Sequence, residues 1–266
     1  MTRLPSWQDF GTHDESAYPE LWRGCVGAWA PCLGPTGTRL HDLSRYSNWG
    51  TLTNMDAATD WVVSSGRYAL DFDGSNDFVD ITTTPNARFF ASDFSINFAY
   101  NAATNTGGYR VMWETQGYRA MTGGLAIYQN NAQLEIWKHT SGVGFTNMIN
   151  FAGGVGLNVW RYLSLVRQNE VLSLYTDGVL RGTFADTLNY DTGNTTNQIN
   201  WGGGRTVFFF QGLMDSLMSH NRALSPSEIR LLASKRGIGL EPRKSKLLFH
   251  QFPSGAKRRL LLTGQT

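Results

Sequence analysis

The stretch YALDFDGSNDFVDI, residues 68–81, decides how this chain folds. Tyr68, Leu70 and Phe72 share one parity, as do Phe78 and Asp80, with Val79 and Ile81 on the other. Alternation of this kind marks strands buried on one face. Between them lie Asp73, Gly74, Ser75 and Asn76. Gly turns easily because it accepts positive φ, and Asn and Asp because they bond their own backbone. The segment therefore predicts two strands and a tight turn, read as a hairpin.

Similar units recur along the chain. Residues 172–180, LSLYTDGVL, read as a strand, an Asp-Gly turn and a second strand. Residues 160–167 and 171–175 pair around Gln168, Asn169 and Glu170. Residues 124–129 and 133–138 pair around Asn130 and Asn131. Phe94, Ile96, Phe98 and Tyr100 alternate cleanly, and further strands are expected at 25–29, 109–114, 199–201 and 213–219. One helix is predicted. Ser225 is its N-cap, Pro226 its first residue and Glu228 closes a capping box; Ile229, Leu232 and Ala233 form its apolar stripe. Stacking the strands in two antiparallel layers puts Trp29, Leu70, Phe72, Phe94, Ile96, Leu163, Leu165, Leu172, Leu174 and Leu213 inside.

Composition agrees. The 29 glycines, 13% aromatic residues and only 17% charged residues suit a turn-rich sandwich, and 266 residues fit one such domain. No run of about 18 apolar residues spans a membrane. The first ten residues hold no apolar core of signal-peptide length, so the expectation is folding in the cytoplasm of the producing cell. Cys25 and Cys32 are then expected as thiols, a local disulfide being the alternative.

Four segments in order carry a family resemblance: DLSRYSNWGTL (42–52), the opening stretch (68–81), LSLYTDGVL (172–180), and FQGLMDSLMSHNRAL (210–224) running into SPSEI. Together they resemble the laminin G-like branch of the concanavalin A-like lectin/glucanase superfamily, over roughly residues 25–234. The resemblance implies an all-β, two-sheet antiparallel jelly-roll sandwich with one short C-terminal helix. The expected division is an N-terminal arm (1–20), the sandwich (21–238) and a C-terminal tail (239–266). It also implies one structural Ca²⁺ shared by Asp42, Asn48 and Asp215, since calcium takes oxygen ligands. Read from the residues alone, Asp42 and Asn48 simply cap their own turn.

The superfamily includes glucan hydrolases, which carry acids as E-x-D-x-x-E on one strand face. Retaining hydrolysis needs carboxylates about 5–5.5 Å apart. No such triplet exists here. Glu114 and Glu135 stand alone on their strands and read as solvent-facing, and His220, at a strand end, reads as a surface residue. No G-x-S-x-G is present. Gly202, Gly203 and Gly204 lack the following helix of a phosphate loop and read as a tight turn or close backbone approach. The chain is therefore expected not to be an enzyme.

Sugar binding needs aromatic faces beside amide or carboxylate partners. Glu135 and Trp137 share the face of their strand opposite Leu134 and Ile136. Tyr128 lies on the neighbouring strand, with Trp113 beside Glu114, so Tyr128, Glu135, Trp137 and Trp113 are the candidate glycan platform. The alternative packs Trp137 beneath a long loop, and residues 207–210 equally read as loop packing.

From Glu241 onward, six bases (Arg243, Lys244, Lys246, Lys257, Arg258 and Arg259) face that one acid, in a chain of net charge +2. Leu247, Leu248, Phe249 and Phe252 form one apolar block, and Leu260, Leu261 and Leu262 another. Apolar blocks of this kind mark contact sites, and they favour protein over nucleic acid as the partner. The expectation is a virion protein of a tailed bacteriophage. It would decorate the capsid as part of a homo-oligomeric assembly, docked on other virion proteins by its arms, with a weakly glycan-adhesive sandwich facing outward. A free-standing bacterial lectin or adhesin is the first alternative, and a divergent glycan hydrolase the second.

Overall fold

The computed structural model describes residues 16–82, 92–115, 124–140, 143–187, 190, 198–204 and 207–241. They form two eight-stranded antiparallel sheets. The first runs β14 (Val179–Ala185), β13 (Val171–Thr176), β12 (Arg161–Gln168), β7 (Phe94–Ala102), β16 (Gln211–His220), β5 (Arg67–Asp73) and β4 (Trp61–Ser64). Its eighth strand, β1 (Cys25–Trp29), pairs with the far end of β16. The second runs β11 (Gly144–Phe151), β10 (Gln133–Thr140), β9 (Gly124–Asn130), β8 (Tyr109–Thr115), β15 (Gln198–Trp201), β6 (Phe78–Thr82), β3 (Gly50–Thr53) and β2 (Arg39–Leu40). One α-helix, α1 (Pro226–Ser234), follows β16.

The stretch at residues 68–81 forms both predicted strands but no hairpin. β5 belongs to the first sheet and β6 to the second. The turn between them is a corner that carries the chain from one layer to the other. Asp73 Oδ1 accepts from the Ser75 N–H at 2.7 Å, and Asp77 Oδ2 accepts from the Asp73 N–H at 2.9 Å. The side chains of the turn close it, so the two strands need not pair. True hairpins do form at Asp177-Gly178 and Asn169-Glu170, where all four residues adopt positive φ. At β9–β10 the two-residue turn is Asn131-Ala132, one position later than expected.

Between the sheets the predicted core assembles around fully buried Trp29, Phe72, Phe94, Phe98, Tyr100, Trp113 and Trp201. Phe72 meets Trp201 edge-on at 6.3 Å, a favourable aromatic geometry. Leu213 is the exception. Met214 and Leu217 take the inward positions, because a bulge at Asp215 and Ser216 (φ 58°) shifts the parity of β16.

A second apolar cluster covers the outer face of the first sheet. Ala99, Tyr162, Val166 and Met218 from the strands meet Leu21, Leu224, Ile229, Leu232 and Ile238. The helix that delivers Ile229 and Leu232 starts as expected. Ser225 Oγ accepts from the Glu228 N–H at 3.3 Å, and the Glu228 carboxylate accepts from the Ser225 N–H at 2.8 Å. Arg222 then donates to both Glu228 oxygens, at 3.0 and 2.6 Å, and to the carbonyls of Glu20 and Arg23. Burial would raise the Glu228 carboxyl, but Arg222 and Ser225 outweigh it and hold it down at about 2. The packed domain reaches beyond residues 21–238. Ser16 Oγ donates to Gly239 O at 2.8 Å, and the Ala17 N–H to Glu241 O at 2.7 Å.

His220 is fully buried, contrary to the surface reading. The amide nitrogen of Asn97, a donor only, lies 3.4 Å from Nδ1, so Nε2–H donates to Leu21 O at 2.8 Å. Burial lowers its pKa to about 4. Between pH 6.5 and 4 the unfolded chain binds a proton that the folded chain refuses, so this residue costs stability as pH falls. Asp77, raised by burial to about 6, acts in the opposite sense over much of that window. The comparison with His220→Gln isolates the histidine. The advantage of wild type over the variant, measured in urea, should shrink by about 3 kcal/mol from pH 7 to pH 4. An unchanged advantage would contradict the buried neutral ring.

Both cysteines are buried free thiols. Burial pushes Cys25 up to about 12 and raises Cys32 as well. Among the described residues no helix is long and apolar enough to cross a membrane.

Candidate functional site

The outer face of the second sheet is the one that its own helix does not cover, and its ladder register fixes what lies there. Val111, Tyr128 and Glu135 are direct neighbours on β8, β9 and β10. A parallel row holds Asn200, Glu114, Ala126, Trp137 and Asn147 on β15, β8, β9, β10 and β11. Val111, Ala126 and Tyr128 form a small apolar cluster against which Trp137 and Phe208 pack. Tyr109, 38% exposed, meets Tyr128, Trp137 and Phe208 edge-on with ring centroids 5.7–6.1 Å apart.

Glu135 sits among these rings and is buried, where the sequence reading placed it in solvent. Its Oε1 accepts from Asn130 Nδ2 at 2.9 Å. Its Oε2 accepts from the Trp137 indole N–H at 2.6 Å and from Asn147 Nδ2 at 3.1 Å. Three donors offset the desolvation of the carboxylate. They also lock the Trp137 ring in one orientation. Burial and then the Glu135 charge raise the Tyr109 phenol above its ordinary value.

Tyr128, Glu135 and Trp137 are thus brought together as predicted, while Trp113 is not. A bulge between Val111 and Trp113 puts Met112 and Trp113 both into the core and turns Glu114 outward. Tyr109, Phe208, Asn130 and Asn147 join the site without having been singled out. The parity of Tyr109 with Val111 on its strand was the available signal. Asn147 had none, since GFTNMINF lacks clean alternation.

Phe208 reaches this face because residues 207–210 fold back over it. The Val111 N–H donates to Phe208 O at 2.6 Å, and the Phe210 N–H to Gly202 O at 2.8 Å. The glycine run permits the approach. A Cβ on Gly203 would lie 2.8 Å from Asp77 O, and one on Gly202 (φ +86°) would collide with the Phe72 ring. The packing alternative for residues 207–210 therefore holds, and it also supplies a ring to the face.

The acids Glu114 and Glu135 lie well apart in the ladder. Glu114 and Glu135 are two strands and about two residues apart, roughly 12 Å by sheet spacing. Hydrolases need about 5–5.5 or 6.5–9.5 Å. Asp80 and Glu114 flank Asn200, whose fully buried amide donates to Glu114 Oε1 at 3.2 Å.

The proposed calcium ligands have separate partners. Asp42 Oδ1 accepts from the N–H groups of Ala28 and Ser44, each at 2.8 Å. Its Oδ2 accepts from the Ser44 hydroxyl and the Asn48 N–H, each also at 2.8 Å. Asp215 Oδ1 accepts from the Cys32 N–H at 2.8 Å, and its Oδ2 lies 3.4 Å from Arg236 Nε. A carboxylate occupied by four donors and another beside a guanidinium do not fit a shared cation. The turn-capping alternative fits Asp42, and no cluster of three or more His, Cys, Asp or Glu among the described residues suits a metal. The tail residues Leu247, Leu248, Phe249, Phe252, Lys257, Arg258 and Arg259 lie outside the described residues.

Residues 73–230 match the family model Laminin_G_3 of the concanavalin A-like lectin/glucanases superfamily. No curated protein matches the chain by sequence. Among solved structures, the botulinum neurotoxin serotype D binding domain superposes with a TM-score of 0.63 at 13% identity, over 80% of this chain and 52% of that one. The binding domain of botulinum neurotoxin DC in complex with rat synaptotagmin II gives 0.57 at 15% identity, over 80% and 52%. Botulinum neurotoxin type C, whose cell entry depends on interaction with two ganglioside molecules, gives 0.60 at 14% identity, over 82% and 52%. The chain spans about half the length of these neighbours, and at such identities the likeness is one of fold.

Proposed function

The chain belongs to the concanavalin A-like lectin/glucanase superfamily, and from that premise we propose that it is a non-catalytic binding module that holds a glycan on the outer face of its second sheet. One observation carries this reading. Tyr109, Trp137 and Phe208 present ring surface around a carboxylate and two amides that are already fixed by hydrogen bonds. Rings stack on the C–H faces of a sugar, while Asn130 and Asn147 keep polar capacity for its hydroxyls. Fixing the rings beforehand lowers the ordering cost of binding. Two structural neighbours interact with gangliosides or with synaptotagmin II, so the fold carries glycan and protein partners elsewhere.

The test is an array of neutral and acidic oligosaccharides probed with the full chain. Tyr109→Ala, at an exposed ring, should lower binding about ten-fold with little change in stability. Trp137→Phe should weaken it as well, because the smaller ring loses the hydrogen bond to Glu135 that fixes its orientation. A chain that binds no oligosaccharide, or binds equally after Tyr109→Ala, would refute the reading.

The setting we propose is the surface of a phage virion, with homo-oligomeric assembly and other virion proteins as partners. Its support is the sequence beyond Glu241, where clustered bases separate two apolar blocks. Because Glu241 itself bonds to Ala17, the informative truncation removes residues 242–266. Loss of assembly with glycan binding retained is the expected result, read by light scattering and the array. Assembly that survives the truncation would remove the docking role of the tail.

A further inference from the structure

A cavity of about 330 Å³ opens between the 3₁₀ turn Pro19–Trp22, the start of β1, the Asp42 loop and Asn221 after β16. Its lining shares no residue with the second-sheet face. Two aromatic residues, Trp22 and Tyr46, and two cations, Arg23 and Arg45, stand around it, and among the described residues no carboxylate lines it.

The walls are held in place. The Trp22 indole N–H donates to Gly239 O at 2.7 Å, which fixes the ring. Arg45 Nη2 donates to the Tyr46 hydroxyl at 2.9 Å, with the guanidinium 5.0 Å from that ring's centroid. Arg45 keeps further donors, and the Arg23 guanidinium makes no hydrogen bond or ion pair among the described residues. The floor is neutral, since burial keeps the Cys25 thiol protonated. The nearby Asp42 carboxylate is turned to its four donors. Two exposed cations over an uncharged floor favour an anion, and flanking rings favour a ligand with an apolar ring face.

We infer that this cavity is a second ligand site, for an acidic sugar: its carboxylate meets Arg23 and Arg45, and its ring lies against Trp22 or Tyr46. The inference stands independently of the second-sheet face. The experiment titrates the full chain with D-glucuronate, with D-glucose and inorganic phosphate as comparators, and follows the Trp22 indole N–H resonance. Saturable binding of glucuronate, lowered about ten-fold or more in the double variant Arg23→Ala/Arg45→Ala, is expected; that is the loss of one charge-assisted hydrogen bond or more. The double variant should keep the oligosaccharide binding that Tyr109→Ala reduces, which separates failure of this site from failure of the other. No saturable glucuronate binding, or equal binding in the double variant, would overturn the proposal. Glucose or phosphate binding as tightly as glucuronate would overturn it too, since the site would then read the ring or the charge alone.

Discussion

Asp42→Ala is expected to destabilise the domain by about 3 kcal/mol, because a half-buried carboxylate that accepts four hydrogen bonds is removed and its donors are left unpaired. Three backbone N–H groups and one hydroxyl lose their acceptor together. The loop they hold also carries Asn48, whose carbonyl accepts from the fully buried Trp29 indole at 2.6 Å. The loss therefore spreads into the core between the sheets. Ser44→Ala, which removes one of the four donors, should cost only about 1 kcal/mol. Urea unfolding at pH 7 reads both, and near-equal losses would mean that Asp42 does not organise the loop. Millimolar calcium should leave the wild-type midpoint unchanged. A calcium-dependent rise that Asp42→Ala abolishes would restore the ion to this loop.

Gly202→Ala is the second large effect, and it links stability to the candidate site. A Cβ there would lie no farther than 2.7 Å from three ring atoms of Phe72, at a φ of +86° that L side chains rarely adopt. Phe72 is fully buried and packed edge-on against Trp201 and Phe210, so it has nowhere to retreat. Strained φ and overpacking together should cost about 3 kcal/mol. Gly66 has a similar φ, +74°, with nothing within 4 Å of its would-be Cβ. Gly66→Ala should therefore lose only the φ contribution, about 1 kcal/mol. Any shift of Gly202 also moves its carbonyl, which holds the Phe210 N–H, and hence the segment that lays Phe208 beside Tyr109. Reduced glycan binding should accompany the lost stability. A variant as stable as Gly66→Ala would show that the close approach is not obligatory.

Much of the fold was legible because its signals are local. Alternation in residues 94–100 reports a buried face whatever the strand pairs with. The Asp177-Gly178 turn needs only its own positive φ values, and the capping box of Ser225 and Glu228 spans three residues. Part of the site was legible for the same reason: Glu135 and Trp137 share a strand face, and Tyr128 faces them across a short hairpin. Asn147 was hidden because β11 has no alternation to mark it. Trp113 was misplaced because a single extra residue in β8 reverses the facing of every later position on that strand, and no local pattern announces a bulge.

The amino-acid sequence by itself determined the strands, most hairpins, the helix cap and an all-β sandwich of this family. Tertiary structure alone decided that β5 and β6 part company at Asp73, that His220 and Glu135 are buried, and that the helix packs on the outer face of the first sheet. The physical reason is range. Turns and caps are hydrogen bonds between sequence neighbours, whereas β16 finds β5 and β7 more than a hundred residues upstream. Which sheet the helix covers was settled only by contacts of the same range, with Arg222 pinning the helix start to the carbonyls of Glu20 and Arg23.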